Sequence, residues 1–256
     1  MNRLWSILFL MVPVVGVGWF VWAYVNHMWL VKDISEQGWR IDHLFYFILY
    51  LTGVVFIITE GALFYFMWKY DADHTQEPVK YTHGSHTLEV VWTIIPAATL
   101  LFIAIYQMNA WADTKMRKPN MKPTVEVQAR QFEWRLRYPN PHGDGSLGRP
   151  DDIWTVNELH VPIDEDILVS LKTQDVLHSF FLPNLRVKQD AVPGMVIPVW
   201  FKAKELGRYD LPCAELCGWG HYKMKGQLVV ESREDYNAWL EKLYQEQIRT
   251  QFEEKK

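Results

Sequence analysis

Residues 212–224 read Pro-Cys-Ala-Glu-Leu-Cys-Gly-Trp-Gly-His-Tyr-Lys-Met, which places two thiols, an imidazole and a thioether (Cys213, Cys217, His221 and Met224) on one short stretch. Soft thiolate and thioether ligands combined with imidazole favour copper over hard cations. A single cysteine with a histidine and a methionine would describe a mononuclear blue-copper site. Two cysteines four residues apart permit something different, because both thiolates can bridge two copper ions. Each metal then needs a terminal nitrogen, and this stretch supplies only His221. His178, in Asp175-Val176-Leu177-His178-Ser179-Phe180, is the candidate for the second. Two other chemistries draw on the same residues. Zinc would take Cys213, Cys217, His221 and His178, leave Met224 idle, and depart from the closer cysteine pairs that structural zinc prefers. A disulfide between Cys213 and Cys217, the only two cysteines, suits an oxidising compartment but gives neither histidine nor Met224 a role. With no Cys-x-x-Cys-His, the chain attaches no c-type haem of its own.

These residues must be held by a scaffold, and the surrounding sequence predicts strands. Val125, Val127 and Ala129 alternate, as do Phe132, Trp134, Leu136 and Tyr138, then Ile167, Val169 and Leu171, with Val229 after Gln227. Period-two alternation broken by Pro139-Asn140-Pro141, by the glycine-rich residues 142–148 and by Pro193-Gly194 indicates half-buried antiparallel strands. A β-sandwich or Greek-key barrel of roughly 100 residues fits this spacing. From Asp235 onward Tyr236, Trp239, Leu240 and Leu243 recur at helical spacing, which predicts an amphipathic helix ending in a charged, solvated tail.

The part before residue 111 is of another kind. Apolar runs over 4–30, 44–68 and 88–110 each exceed the roughly 20 residues that cross a hydrocarbon core. The first run follows Arg3 but is longer than the ~7–15 residues of a signal peptide's apolar region. Trp19, Trp22, Tyr24 and Trp29 stand where a cleavage site would need small residues, so a retained helix is expected. Arg3, Lys69 and Lys80 are matched by Lys32 and Arg40 in the intervening loop, so basic residues assign no orientation. Three spans nonetheless put the N-terminus and the β domain on opposite sides. Glu60 lies inside the second run and Glu89 at the start of the third. A carboxylate in hydrocarbon costs at least ~2.5 kcal/mol and usually faces a partner or a water path. At a helix start, however, the helix dipole alone favours one. Pro96 inside the third run predicts a kink or a contact with neighbouring protein. The chain thus divides into a membrane part over 1–110, an outer β domain over 111–234, and a helix and tail over 235–256. With 26 Lys and Arg against 30 Asp and Glu, no basic field argues for nucleic acid.

On these residues the chain resembles subunit II of the haem–copper cytochrome c oxidases over nearly its whole length. The stretch from Cys213 to Met224 is similar to that family's dinuclear copper signature, and Asp175-Val176-x-His178 to its upstream ligand motif. Leu88-Glu89-Val90-Val91-Trp92-Thr93-Ile94-Ile95-Pro96-Ala97 resembles its last transmembrane helix, and Lys188-Gln189-Asp190-Ala191-Val192-Pro193-Gly194 its subunit-docking loop. The resemblance implies transmembrane helices followed by an all-β cupredoxin-like Greek-key sandwich outside the membrane, packed on the catalytic haem–copper subunit I beside other oxidase subunits. It implies that Cys213 and Cys217 bridge both metals of a dinuclear copper A centre. His178 and Met224 would complete one copper, and His221 with the Glu215 carbonyl the other. The Glu215 side chain would face a magnesium site shared with the catalytic subunit. The implied function is to accept electrons from cytochrome c and pass them to haem, for reduction of dioxygen to water coupled to proton pumping. Glu89 would mark proton uptake from the inner side. The implied location is a bacterial cytoplasmic membrane, multi-pass, with the copper domain on the periplasmic side.

A copper A subunit of a nitric-oxide reductase and a membrane-tethered copper-delivery protein share the soft ligands, whereas quinol-oxidase subunits generally lack them. Two features depart from the family pattern. Its aromatic cluster is commonly Gln-Trp-x-Trp, and here it reads Gln131-Phe132-Glu133-Trp134. Its bacterial members usually have two mature spans, so the first helix is either an extra anchor or a removed signal. Phe132 and Trp134 are expected near the copper loop on the donor-facing surface, with Phe132 receiving the electron and Asp151 and Asp152 steering the cytochrome. Alternation alone would put both aromatics in the sandwich core, Trp134 above all.

Overall fold

A computed structural model describes residues 2–71, 78, 81 and 83–253. Three long apolar helices come first: α1 (Asn2–Val25), α2 (Gly38–Lys69) and α3 (His86–Trp111), each long and apolar enough to cross a membrane. Their ends differ from the apolar runs. α1 stops at Val25, five residues before its run ends, where His27 takes a left-handed turn at φ 54°, while α2 starts six residues earlier than its run. Pro13 and Pro96 both lie inside helices. Glu60 borders a cleft shared with Leu10, Pro13, Val14 and Val17 of α1. Of the loop basic residues, Lys80 lies outside the described residues.

The chain separates into two compact units, 1–31 with 42–108, and 32–41 with 109–256. The connector between α1 and α2 therefore belongs to the outer unit. Ile34 is buried there, its N–H donates to Asn184 O (2.9 Å), and Ser35 bridges Ala203. The two basic residues of this connector are tied down in the same unit, Lys32 to Glu205 (2.6 Å) and Arg40 to Asp113.

The outer unit is an all-β sandwich. Its strands are β1 (Val125–Arg130), β2 (Glu133–Tyr138), β3 (Ile153–Val156), β4 (Glu158–Pro162), β5 (Asp166–Thr173), β6 (His178–Leu182), β7 (Val187–Ala191), β8 (Ile197–Lys202), β9 (Gly207–Pro212) and β10 (Lys225–Glu231). A five-stranded sheet in the order β3-β2-β1-β5-β8 faces a three-stranded sheet β4-β10-β9, and β6 pairs with β7. The alternating residues read from the sequence line the core: Val125, Val127, Ala129, Trp134, Leu136, Tyr138, Ile167, Val169 and Leu171 are all at most 1 % exposed. β1 runs antiparallel to β2 but parallel to β5, so the expectation of wholly antiparallel strands is corrected: the long crossovers of a Greek key bring distant strands alongside.

β10 is buried on both faces, with Leu228, Val229 and Val230 all sequestered. Its second face is covered by α4 (Arg233–Glu253), which begins shortly before the helical spacing suggests. Ser232 caps it, accepting from Asp235 N–H (3.0 Å) and donating to the Asp235 carboxylate (2.7 Å). Trp239 of α4 stacks on His160 of β4, ring centroids 3.9 Å apart, and Val229 is the register partner of His160.

Candidate metal centre

The donor residues come from two neighbouring strand ends. His178 opens β6, and residues 213–224 form the loop between β9 and β10. The neck of that loop is closed by Cys213 N–H donating to Met224 O (3.0 Å). It is pinned to β6 by Ala214 N–H donating to Ser179 O (3.0 Å) and by a Phe180–Cys213 bridge. This stitching brings His178 to a loop 35 residues away in sequence. Within the loop Gly218, at φ +130°, takes a conformation other residues resist, and a single 3-10 turn (His221–Lys223) redirects His221 and Met224 inward.

The resulting cluster has two halves around a pair of sulfurs. Cys213 Sγ lies 4.0 Å from Cys217 Sγ, about twice the length of a disulfide bond, and both thiols are free. His178 Nδ1 is 3.9 Å from Cys213 Sγ, and Glu215 O is 3.2 Å from the same sulfur. His221 Nδ1 is 3.5 Å and Met224 Sδ 3.8 Å from Cys217 Sγ. Metal–sulfur bonds of about 2.3 Å place two donors on one metal roughly 3.3–3.8 Å apart, so these separations suit ligands of shared metals. Two nitrogens beside two different sulfurs suit a pair of metals better than one, and Met224, idle in a zinc site, is 1 % exposed and aimed at Cys217.

Supporting groups hold these donors in the correct state. His178 Nε2 is 2.8 Å from Asp175 Oδ1, which leaves Nδ1 directed at the sulfurs. Burial alone would raise the Asp175 carboxyl, but Gln131 N–H (2.7 Å), His178 and Val176 N–H (2.7 Å) outweigh it and hold it below its ordinary range. Burial likewise opposes ionisation of Cys213, yet His178 and the backbone at Ser179 and Glu215 bring that thiol down to about 6. Burial and the adjacent Cys213 charge push Cys217 up to about 11. The metal-free chain is therefore expected to react with iodoacetamide first at Cys213, with an inflection near pH 6. Cys217 should lag across the neutral range. Peptide mass mapping after timed labelling checks this, and equal labelling of the two cysteines at neutral pH would be the contrary result.

The sequence profile described as cytochrome C oxidase subunit II, periplasmic domain, matches residues 125–232, and its transmembrane-domain counterpart matches residues 23–110. The chain is 30% identical to cytochrome c oxidase subunit 2 of Cereibacter sphaeroides over 81% of its own length and 77% of that protein's. It belongs to the cytochrome c oxidase subunit II family. It is also 28% identical to cytochrome c oxidase subunit 2 of Thermostichus vulcanus, over 85% of this chain and 79% of that one. A crystal structure of the periplasmic domain of subunit II from Bradyrhizobium japonicum is similar at 27% identity and a TM-score of 0.44, covering 50% of this chain and 97% of that one. The family's transmembrane match starts at residue 23, so nearly all of α1 precedes it.

Within this family frame, the remaining residues singled out from sequence fall in different places. Phe132 is half-buried, and its ring lies against Gly220 so closely that a methyl group there would overlap it. Gln131 extends the same contact, donating from Nε2 to Cys217 O (2.5 Å). Trp134 is not on the surface: it is fully buried, edge-on to Phe180 and to His178, because β2 alternation turns it into the core. Asp152 cannot steer a partner either. Its side chain is buried, paired with Arg137 Nε (2.7 Å) and accepting from Gly148 and Arg149 N–H. Asp151 is bound to Asn140 (2.8 Å) beside it. Both lie beyond the Tyr138 end of β2, roughly 20 Å along the strand from Phe132. Glu89 sits in the first turn of α3, half-exposed, 3.7 Å from His86, with its N–H donating to Ser85 O (3.0 Å). Glu215 is half-exposed, and among the described residues no second group of metal-ligating side chains forms around it. Sequence reasoning missed Trp219 and Tyr222, which stand exposed on the donor loop itself. An aromatic between two glycines, inside a ligand loop with no room inward, was the available signal.

Proposed function

We propose that this subunit holds a dinuclear copper A centre on Cys213, Cys217, His178, His221, Met224 and the Glu215 carbonyl. In this reading it receives electrons from cytochrome c and delivers them to haem in the catalytic subunit, for reduction of dioxygen to water coupled to proton pumping. The observation that carries the reading is the cluster of five soft or nitrogen side-chain donors, all but His221 buried, and one carbonyl, divided evenly about two sulfurs. When bound, two thiolate-bridged coppers would supply a one-electron carrier whose change of charge is spread over both metals. The chain's own part is rigidity. The loop neck is tied to β6, His178 is fixed by Asp175, and Gly220 is packed under Phe132, so the donors have little freedom to move between redox states. The half-exposed Glu215 side chain would take part in a magnesium site completed by the catalytic subunit. The setting is a bacterial cytoplasmic membrane with the sandwich on the periplasmic side. Metal analysis with optical and spin-resonance spectra of the purified chain tests the proposal. Two coppers per chain and a purple, delocalised mixed-valence signal are expected; one metal, zinc, or a disulfide would overturn it.

Two residues lie outside the donor cluster. Phe132 offers a conjugated ring in contact with the backbone between Cys217 and His221. Electron tunnelling needs such close contact, not an indole N–H. Phe132→Ala is expected to slow stopped-flow reduction by cytochrome c at least about tenfold with copper content unchanged, and an unaltered rate would move the electron's path elsewhere. At the start of α3, the Glu89 carboxylate would collect protons from water at the membrane edge. Glu89→Ala should slow turnover about an order of magnitude while the copper spectrum stays intact. Normal turnover in a normally assembled complex would return Glu89 to the role of a helix-start carboxylate.

A further inference from the structure

The loop over 213–224 presents to solvent a crest that no ligand role explains. Leu216 is 76 % exposed, Trp219 83 % and Tyr222 69 %. Single exposed apolar residues are ordinary, but three large ones on one ligand loop mark an interaction surface. The crest is ordered. The Trp219 and Tyr222 rings meet edge to face at 6.5 Å, and the Lys223 ammonium stands over both, at 5.8 and 5.4 Å. The 3-10 turn, Gly218 and the Gln131 bond to Cys217 O hold its base.

Its charge is distinctive. Of the carboxylates nearest the donor cluster, the half-exposed Glu215 side chain is given to the proposed magnesium site and two others are already engaged. Asp175 serves His178 and Gln131 N–H, and Glu133 is held by Arg130 (2.7 Å) and Arg135 (2.9 Å). Asp151 and Asp152 are at the other end of β2. What rims the aromatic pair is Lys223, with exposed Lys225 next along the chain. Trp219 is two residues from both Cys217 and His221, so a redox group seated on the crest lies over a short covalent route to either half of the donor cluster.

Resting on the reading of that cluster as a copper centre, we infer that Leu216, Trp219 and Tyr222 are the seat of the electron donor. We further infer that the donor is a small soluble c-type cytochrome whose exposed haem edge is apolar and rimmed by carboxylates that meet Lys223. Aromatic anchors in a polar rim carry most of the energy of such contacts, and the lysine supplies the sign that selects the partner.

The test uses the assembled oxidase and two small c-type cytochromes of similar potential, one acidic and one basic. The wild-type complex is expected to be reduced faster by the acidic cytochrome at low salt, with a rate that falls as salt is added. Lys223→Glu should reverse that salt dependence. Trp219→Ala should slow reduction at least about tenfold at every salt concentration, with copper content and optical spectrum unchanged. Preference for the basic cytochrome, or an unaltered rate in Trp219→Ala at full copper content, would overturn the inference. Photocrosslinking from Trp219→p-benzoylphenylalanine decides the occupant independently. Capture of the added cytochrome supports the donor seat, and capture of the haem-bearing subunit instead assigns the crest to an interface within the complex. Absence of copper from the wild-type chain would sink the copper reading separately, because the crosslink does not depend on metal.

Discussion

Cys217→Ser is expected to abolish the copper signature, not weaken it. Three of the short donor separations meet at this one sulfur: 4.0 Å to Cys213 Sγ, 3.5 Å to His221 Nδ1 and 3.8 Å to Met224 Sδ. A serine hydroxyl is a hard donor that keeps its proton at neutral pH, so it replaces neither the softness nor the charge of a bridging thiolate. Copper content should fall from two per chain to one or none, and the purple mixed-valence absorption should vanish. The sandwich should persist, because the bonds that close the loop neck run through the backbone of Cys213, Ala214 and Met224, and Gln131 grips the carbonyl of Cys217, not its side chain. Two coppers and a wild-type spectrum in this variant would mean that the metals are not bridged by Cys217, and the dinuclear assignment would fall with it.

Much of the donor cluster was legible in the sequence because its members are local: four of the side chains lie between Cys213 and Met224, on one loop. His178 was legible only as a motif, since its approach depends on β6 being stitched to the loop neck at Ser179 and Phe180, a pairing with no sequence period. Strands with one solvated face, such as β2, announced themselves by alternation, and the same alternation placed Trp134 inside. β10 hid half of its burial, because Val229 faces α4 and a strand covered on both sides loses its period. Residues 32–41 read as a plain loop between spans, yet Ile34 fills a place in the sandwich core. Asp151 and Asp152 looked like surface charge because nothing in their neighbourhood announces that Arg137, one strand away, takes the second of them into a buried pair.

The supporting shell is tested most sharply at Asp175. Its Oδ1 accepts from His178 Nε2–H (2.8 Å) and Val176 N–H (2.7 Å), and its Oδ2 from Gln131 N–H (2.7 Å), so every close contact is a donor directed at the carboxylate. The carboxamide introduced by Asp175→Asn keeps the shape but presents one NH2 group, which must face either the imidazole N–H or a backbone N–H. Either arrangement sets donor against donor and removes the negative charge that favours the Nε2–H tautomer. His178 then holds its Nδ1 lone pair toward Cys213 less firmly, although all six proposed ligands remain. Loss of an outer carboxylate of this kind typically costs about 10–100-fold in metal affinity. Asp175→Asn is therefore expected to weaken copper binding by that factor in competition with a chelator, while the spectrum at saturating copper keeps its wild-type form. Unchanged affinity would show that His178 is positioned by the strand alone, and a changed spectrum at saturation would show that Asp175 shapes the ligand set itself.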